Sequence, residues 1–176
     1  MIKTYLFKDS QSVGVAAAKK LADKINAFKP TLSKPYFVLG LPTGSTPQPM
    51  YQELVRLYKD GFLSFKNVAT FNMDEYCELP VTHPESYHSF MFENLFKHID
   101  IIPENIHILN GLAEDKEREC ARYEFLINGC GGIDIQVGGI GSNGHIAFNE
   151  PGTAFDSKTH EVVLTDQTRQ HNARFF

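Results

Sequence analysis

Short apolar runs and helix-period stretches take turns along this chain, and few folds can use that order. Tyr36-Phe37-Val38-Leu39, Val68–Phe71, Ile106–Leu109 and Ile133–Val137 each read as a strand. The continuous apolar run Tyr36–Leu39 suits a strand buried on both faces. Between them lie helical patterns. Val13, Ala17, Leu21, Ile25 and Phe28 recur at spacings of four and three, one face of a helix that Ser10 caps. A second helix opens at Pro47, runs to about Lys59 and stops at Gly61; others span about Pro84 to Ile99 and Glu114 to Ile127. Further strands are expected at Ile2–Phe7 and Val162–Leu164, and helical turns from Thr168 onward. Such alternation predicts α/β layering around a mostly parallel sheet. With 176 residues and no internal repeat or linker, a single domain over 1–176 is expected.

Charge and composition narrow the function classes. A formal net charge of −4, with no basic run, argues against a general nucleic-acid binder. No apolar run is long enough to span a bilayer, and MIKTYLFKDSQSVGV lacks the apolar block of a signal peptide. Cys77, Cys120 and Cys130 form an odd set without CxxC spacing, which suits reduced thiols in a cytoplasm.

In open α/β sheets, ligands bind beyond the carboxyl ends of the strands. Loops 40–46, 72–83 and 138–152 sit there. In the first, G-L-P-T-G-S-T-P, Thr43, Ser45 and Thr46 offer hydroxyls, Gly44 permits close approach, and a helix start follows. Those features suit a phosphate, while the absence of GK[ST] excludes a P-loop. In the second, Asp74 and Glu75 are adjacent, so on an extended backbone they point apart. One is expected in a pocket, placed for proton transfer beside a carbonyl-type carbon, and the other in structural contacts. His83 and His88 in HPESYH lack metalloprotease spacing, and no metal is expected. In the third, Gly139, Gly141 and Gly144 form G-x-G-x-x-G, but Pro151-Gly152 leaves no room for the helix a dinucleotide needs. His145 suits acid–base work there, with Glu150 or Asn143 to orient its ring. These residues imply a small, polar, phosphorylated substrate.

LGLPTGSTP, TFNMDEY, HPESYHSFM, GGIGSNGHIAFNEPG and TRQHNARFF, in that order from Leu39 to Phe176, closely resemble the glucosamine-6-phosphate deaminase family. The resemblance implies a Rossmann-like α/β fold, an open sheet with helices on both faces. It implies conversion of glucosamine 6-phosphate and water to fructose 6-phosphate and ammonia, without cofactor or catalytic metal. Its catalytic group maps onto Asp74 as the base between C2 and C1, and onto Asn143, His145 and Glu150 for ring opening. Many relatives carry Asp where Asn143 stands, so the charge supporting an imidazolium falls here to Glu150 alone. The substrate phosphate maps onto Thr43, Gly44, Ser45 and Thr46, with Arg174 as cationic partner.

Family chains extend well past Phe176, so the chain is expected to be incomplete at its C-terminal end relative to the family. A monomer or a homo-oligomer is compatible with the resemblance. The rival enzyme is a 6-phosphogluconolactonase-like hydrolase, whose pattern lacks the MDEY block and the FNEP glutamate present here. A different class is a non-catalytic sugar-phosphate sensor or inactive fragment. Some family members are activated by N-acetylglucosamine 6-phosphate through basic residues just after the NEP block. His160 and Val162 stand in that region here. Titration with this effector is therefore expected to leave the apparent KM for the amino-sugar phosphate nearly unchanged; a large fall would overturn that expectation.

Overall fold

Two apolar runs, Phe37–Leu41 (β1) and Val68–Asn72 (β2), pair in parallel at the centre of a four-stranded sheet, and every residue in both is buried. The computed structural model describes residues 2–173. Around this pair the chain adds helices Ser10–Ala27 (α1), Gln48–Lys59 (α2), Tyr87–Asn94 (α3), Lys116–Gly129 (α4) and Asp166–Asn172 (α5), and two short strands, Ile106–His107 (β3) and Ile135–Gln136 (β4). The strand order is β3-β2-β1-β4, and every pairing is parallel.

Period-2 geometry sends alternate side chains of β1 to opposite faces. Leu39 and Leu41 join Leu21 and Ile25 of α1, Tyr51 and Leu54 of α2 and Met91 of α3 in one core. Val38 and Phe71 meet Tyr123 of α4 on the other side. Helices thus cover both faces, as expected. Tyr123 also ties its helix to the sheet, because its hydroxyl lies 2.8 Å from the Asn72 carbonyl and 3.0 Å from that of His107.

The structure corrects several expected boundaries. Asp9, not Ser10, caps α1, its carboxylate accepting from the Ser12 N–H at 2.7 Å. The buried stripe of α1 is Gly14, Ala18, Leu21, Ala22 and Ile25, while Val13 is half exposed. The cause is a helix crossing at Gly14, where a Cβ would lie 2.5 Å from Pro49 Cβ and 2.8 Å from the Met50 nitrogen. Helix α3 starts at Tyr87 rather than Pro84, because Ser86 accepts the Ser89 N–H. It ends at Asn94, where Leu95 leaves helical geometry, and a 3-10 turn covers Phe96–His98. Helix α5 starts at Asp166, capped by Thr165.

Two expected strands are absent. Residues 2–7 and 162–164 have no ladder partner among the described residues. Ile2 and Leu6 are 94% and 93% exposed, so no burial offsets the roughly 1–2 kcal/mol per residue of backbone ordering.

The strand order places the site. After β1 the chain builds outward through β2 and β3, then returns to pair β4 with the opposite edge of β1. Connections therefore diverge between β1 and β4, which leaves a crevice beyond their carboxyl ends.

Two helical glycines should respond oppositely to alanine. Gly14→Ala is expected to destabilise the fold by roughly 1–3 kcal/mol, since rigid backbone opposes the new methyl. Gly129→Ala meets nothing within 4 Å and should stabilise by about 0.5 kcal/mol. Denaturant midpoints of the two variants check the sign.

Candidate active site

The three loops at the carboxyl ends of β1, β2 and β4 meet around one cavity of about 420 Å³. After β1, Thr43, Ser45 and Thr46 line it just before α2. Gly44 turns the chain at φ +91°, a conformation glycine adopts without cost. The Tyr51 hydroxyl, deep in the core, donates to the Pro42 carbonyl and anchors this loop from below. Among the described residues no Lys or Arg lines the cavity, so its anion-seeking character comes from hydroxyls and the α2 terminus. Arg174 lies outside the described residues.

After β2 the two acids separate as expected. Glu75 turns away and caps α3: its carboxylate accepts the N–H groups of Tyr87 and His88, each at 2.9 Å, and that of Tyr76 at 2.8 Å. Asp74 lines the cavity. Loss of water around its carboxyl, with the Glu75 charge adding to it, pushes its pKa from 3.8 up to about 7.

After β4, the Glu150 carboxylate can only accept hydrogen bonds, so Asn143 presents Nδ2 to it, at 2.7 Å. Asn143 Oδ1 then faces the His145 ring and accepts from Nδ1 at 2.6 Å, and it also takes the His145 N–H at 3.1 Å. In the neutral ring, a proton on Nδ1 leaves the Nε2 lone pair to face the cavity. Sequence left open whether Asn143 or Glu150 orients the imidazole; Asn143 does so directly and Glu150 through it. Thr168 is the main reason the Glu150 carboxyl is held down at about 2, with Thr165 and Asn143 adding to it. Thr165 donates its N–H and hydroxyl to Glu150, which joins this loop to α5.

Gly141 is obligatory here. A Cβ on it would sit 2.1 Å from His145 Cε1 and 2.2 Å from Nε2. The middle glycine of G-x-G-x-x-G therefore makes room for the His145 ring. The chain after Gly144 turns back through an Ile146–Asn149 bridge, and the next helix is α5.

His145, Asp74 and the hydroxyl loop all face the same cavity. The sequence reading missed what holds them together. Tyr76, Tyr87 and Phe148 form an aromatic cluster, with centroids 4.7 to 5.8 Å apart, that joins the Asp74 loop to the His145 loop. All three lie inside motifs quoted above, yet nothing local marks them as partners. Thr165 and Thr168, at capping spacing, were also missed. His83 Nδ1 accepts the Glu85 N–H at 3.1 Å, and His88 stacks on Phe92. A larger hollow of about 750 Å³ lies along α4, lined by Lys116, Cys120 and Glu124, and contains none of the residues singled out as catalytic.

The model of the glucosamine-6-phosphate isomerase/6-phosphogluconolactonase family matches residues 8–175. The chain is 56% identical over 169 residues to a glucosamine-6-phosphate deaminase of Aeromonas salmonicida, covering 96% of this chain and 63% of the relative. It is 57% identical over 166 residues to that of Haemophilus influenzae, covering 94% and 61%. The chain thus spans less than two thirds of the length of these curated relatives. A solved monomeric glucosamine-6-phosphate deaminase superposes with a TM-score of 0.92 at 47% identity, over 99% of this chain and 70% of that one. A 6-phosphogluconolactonase of Thermotoga maritima shares the fold, with a TM-score of 0.67 at 23% identity, over 81% and 62%.

Gly141→Ala should displace the imidazole while the fold survives, with melting temperature nearly unchanged and activity down about 100-fold. Glu150→Gln should lower activity about 10- to 100-fold, since Asn143 is then free to flip. The depressed folded pKa of Glu150 means that its stabilisation is present above its ordinary value of 4.5 and fades as pH falls towards 2. Acid titration of wild type against Glu150→Gln should show that loss only in wild type.

Proposed function

The chain belongs to the family of glucosamine-6-phosphate isomerases and 6-phosphogluconolactonases, and from that footing we propose that it converts glucosamine 6-phosphate and water to fructose 6-phosphate and ammonia. One observation carries the choice: a carboxyl raised to about 7 and an imidazole with an oriented Nε2 line one cavity beside a hydroxyl-rich loop. The deaminase names of relatives at 56–57% identity support the same choice.

The proposed chemistry uses these residues in order. Thr43, Gly44, Ser45 and Thr46 seat the phosphate at the start of α2, and Arg174 supplies a positive partner. His145 Nε2 accepts the proton of the anomeric hydroxyl and returns it to the ring oxygen, which opens the pyranose to an aldehyde. The transient imidazolium is supported by Glu150 through Asn143. Asp74, as carboxylate, removes the proton on C2 while the substrate's ammonium passes one of its protons to O1, and the double bond shifts to give an enolamine with a hydroxyl on C1. It then delivers the proton to C1, which leaves an iminium at C2. Water adds there, and ammonium departs as the ketone forms. A base with a pKa near the working pH balances availability against proton affinity. The three free cysteines suit a reducing cytoplasm as the setting.

Ammonia and fructose 6-phosphate should appear together from glucosamine 6-phosphate; hydrolysis of 6-phosphogluconolactone without ammonia release would sink the reading. The kcat/KM profile should rise with pH through about 7 as Asp74 ionises. Asp74→Asn should lower turnover at least about 1,000-fold. The folded pKa of Asp74 is raised, so stability falls as pH rises from its ordinary value of 3.8 to about 7, where the unfolded chain has lost the proton and the folded one still holds it. Asp74→Asn should therefore be more stable than wild type at pH about 8, by roughly 4 kcal/mol, and nearly equal to it at pH about 4.

A further inference from the structure

A second cavity, of about 350 Å³, opens on the other side of Asp74. Met73, Asp74, Ala147 and Phe148 wall both it and the cavity that holds His145 and the hydroxyl loop. The partition is therefore thin, and its parts are telling. Ala147 contributes one methyl from a left-handed turn at φ +54°. Met73 contributes a flexible thioether. Phe148 is the bulky member, stacked on Tyr87 at 5.8 Å.

The reaction needs that second opening. Asp74 acts at C2, so C2 and its nitrogen must lie against Asp74 when the sugar fills the front cavity. The iminium carbon then takes up water and releases ammonium, C2=NH2+ + H2O giving C2=O + NH4+, while the sugar still blocks the front. The rear cavity begins at the same carboxyl. Its lining also includes Glu75, Glu124 and Glu161, against Lys158 and His160. Glu75 and Glu124 are held in place, the first by the α3 N–H groups and the second by the N–H and hydroxyl of Thr159, each at 2.8 Å.

We infer that this rear cavity is the passage by which ammonium leaves and water reaches C2, separate from the entry of the sugar phosphate. The inference rests on the deaminase reading above. It concerns residues with no part in the proton transfers, chiefly Val162, Ser157 and Glu161 on the far wall.

The test runs the reaction backwards, from fructose 6-phosphate and ammonium chloride, and measures the KM of each. Val162→Trp and Ser157→Trp narrow the rear cavity alone. Each is expected to raise the KM for ammonium at least about five-fold while that for fructose 6-phosphate stays within about two-fold. Glu161→Gln, at an exposed position where folding is not at risk, should raise the ammonium KM about two-fold at low ionic strength, an effect that fades in concentrated salt. An unchanged ammonium KM in the folded variants overturns the passage, and so does a parallel rise in both constants. Wild type that turns over neither direction would sink the deaminase reading itself, a result distinct from either of these.

Discussion

Everything at the site hangs on β1 having a parallel partner on each side. Phe37–Leu41 is matched residue for residue with Val68–Asn72, and Leu39 and Gly40 are matched with Ile135 and Gln136. Because the strands are parallel, their carboxyl ends lie at one edge, and the loops that follow must emerge together. Because the chain builds to one side of β1 and then returns to the other, the loops after β1 and β4 lean apart. The crevice between them is a consequence of connectivity, and the hydroxyl loop and the His145 loop are simply the segments that occupy its rims.

Within that frame, charge is handled by a division of labour. Asp74 and Glu75 are neighbours in sequence with opposite fates. Glu75 meets backbone N–H donors and is structural; Asp74 meets little that would stabilise its charge, and its affinity for a proton rises accordingly. The same contrast separates Asp74 from Glu150, which is surrounded by donors from Asn143, Thr165 and Thr168 and is held firmly ionised. One carboxyl is thus poised to exchange a proton, and the other is a fixed negative charge behind the imidazole. Environment makes two tools from one functional group.

Much of the site was legible because its parts are local. Glycines, hydroxyls and a helix start within eight positions mark the hydroxyl loop, and the Asn143–His145–Glu150 spacing marks the His145 loop, and both line the same cavity. The aromatic cluster was not legible, since Tyr76, Tyr87 and Phe148 come from separate segments and each reads as ordinary core. Nor was the exact partner of the imidazole, because two candidates lay within reach in sequence and only the direction of the amide distinguishes them.

The order of strands and helices, the buried character of β1 and β2, and the three loops that line the cavity follow from the residue pattern alone, since hydrophobic period and turn chemistry act over short distances. Other features needed the folded chain. Residues 2–7 read as a strand but have no ladder partner among the described residues, so a strand-like stretch without a partner yields none. The buried face of α1 begins at Gly14 and not Val13 because Pro49, thirty-five positions away, presses against it. Asp74 carries its raised affinity for protons because the folded chain strips water from its carboxyl and keeps the Glu75 charge nearby. Contacts between distant segments decide these points, and no local stretch of residues contains them.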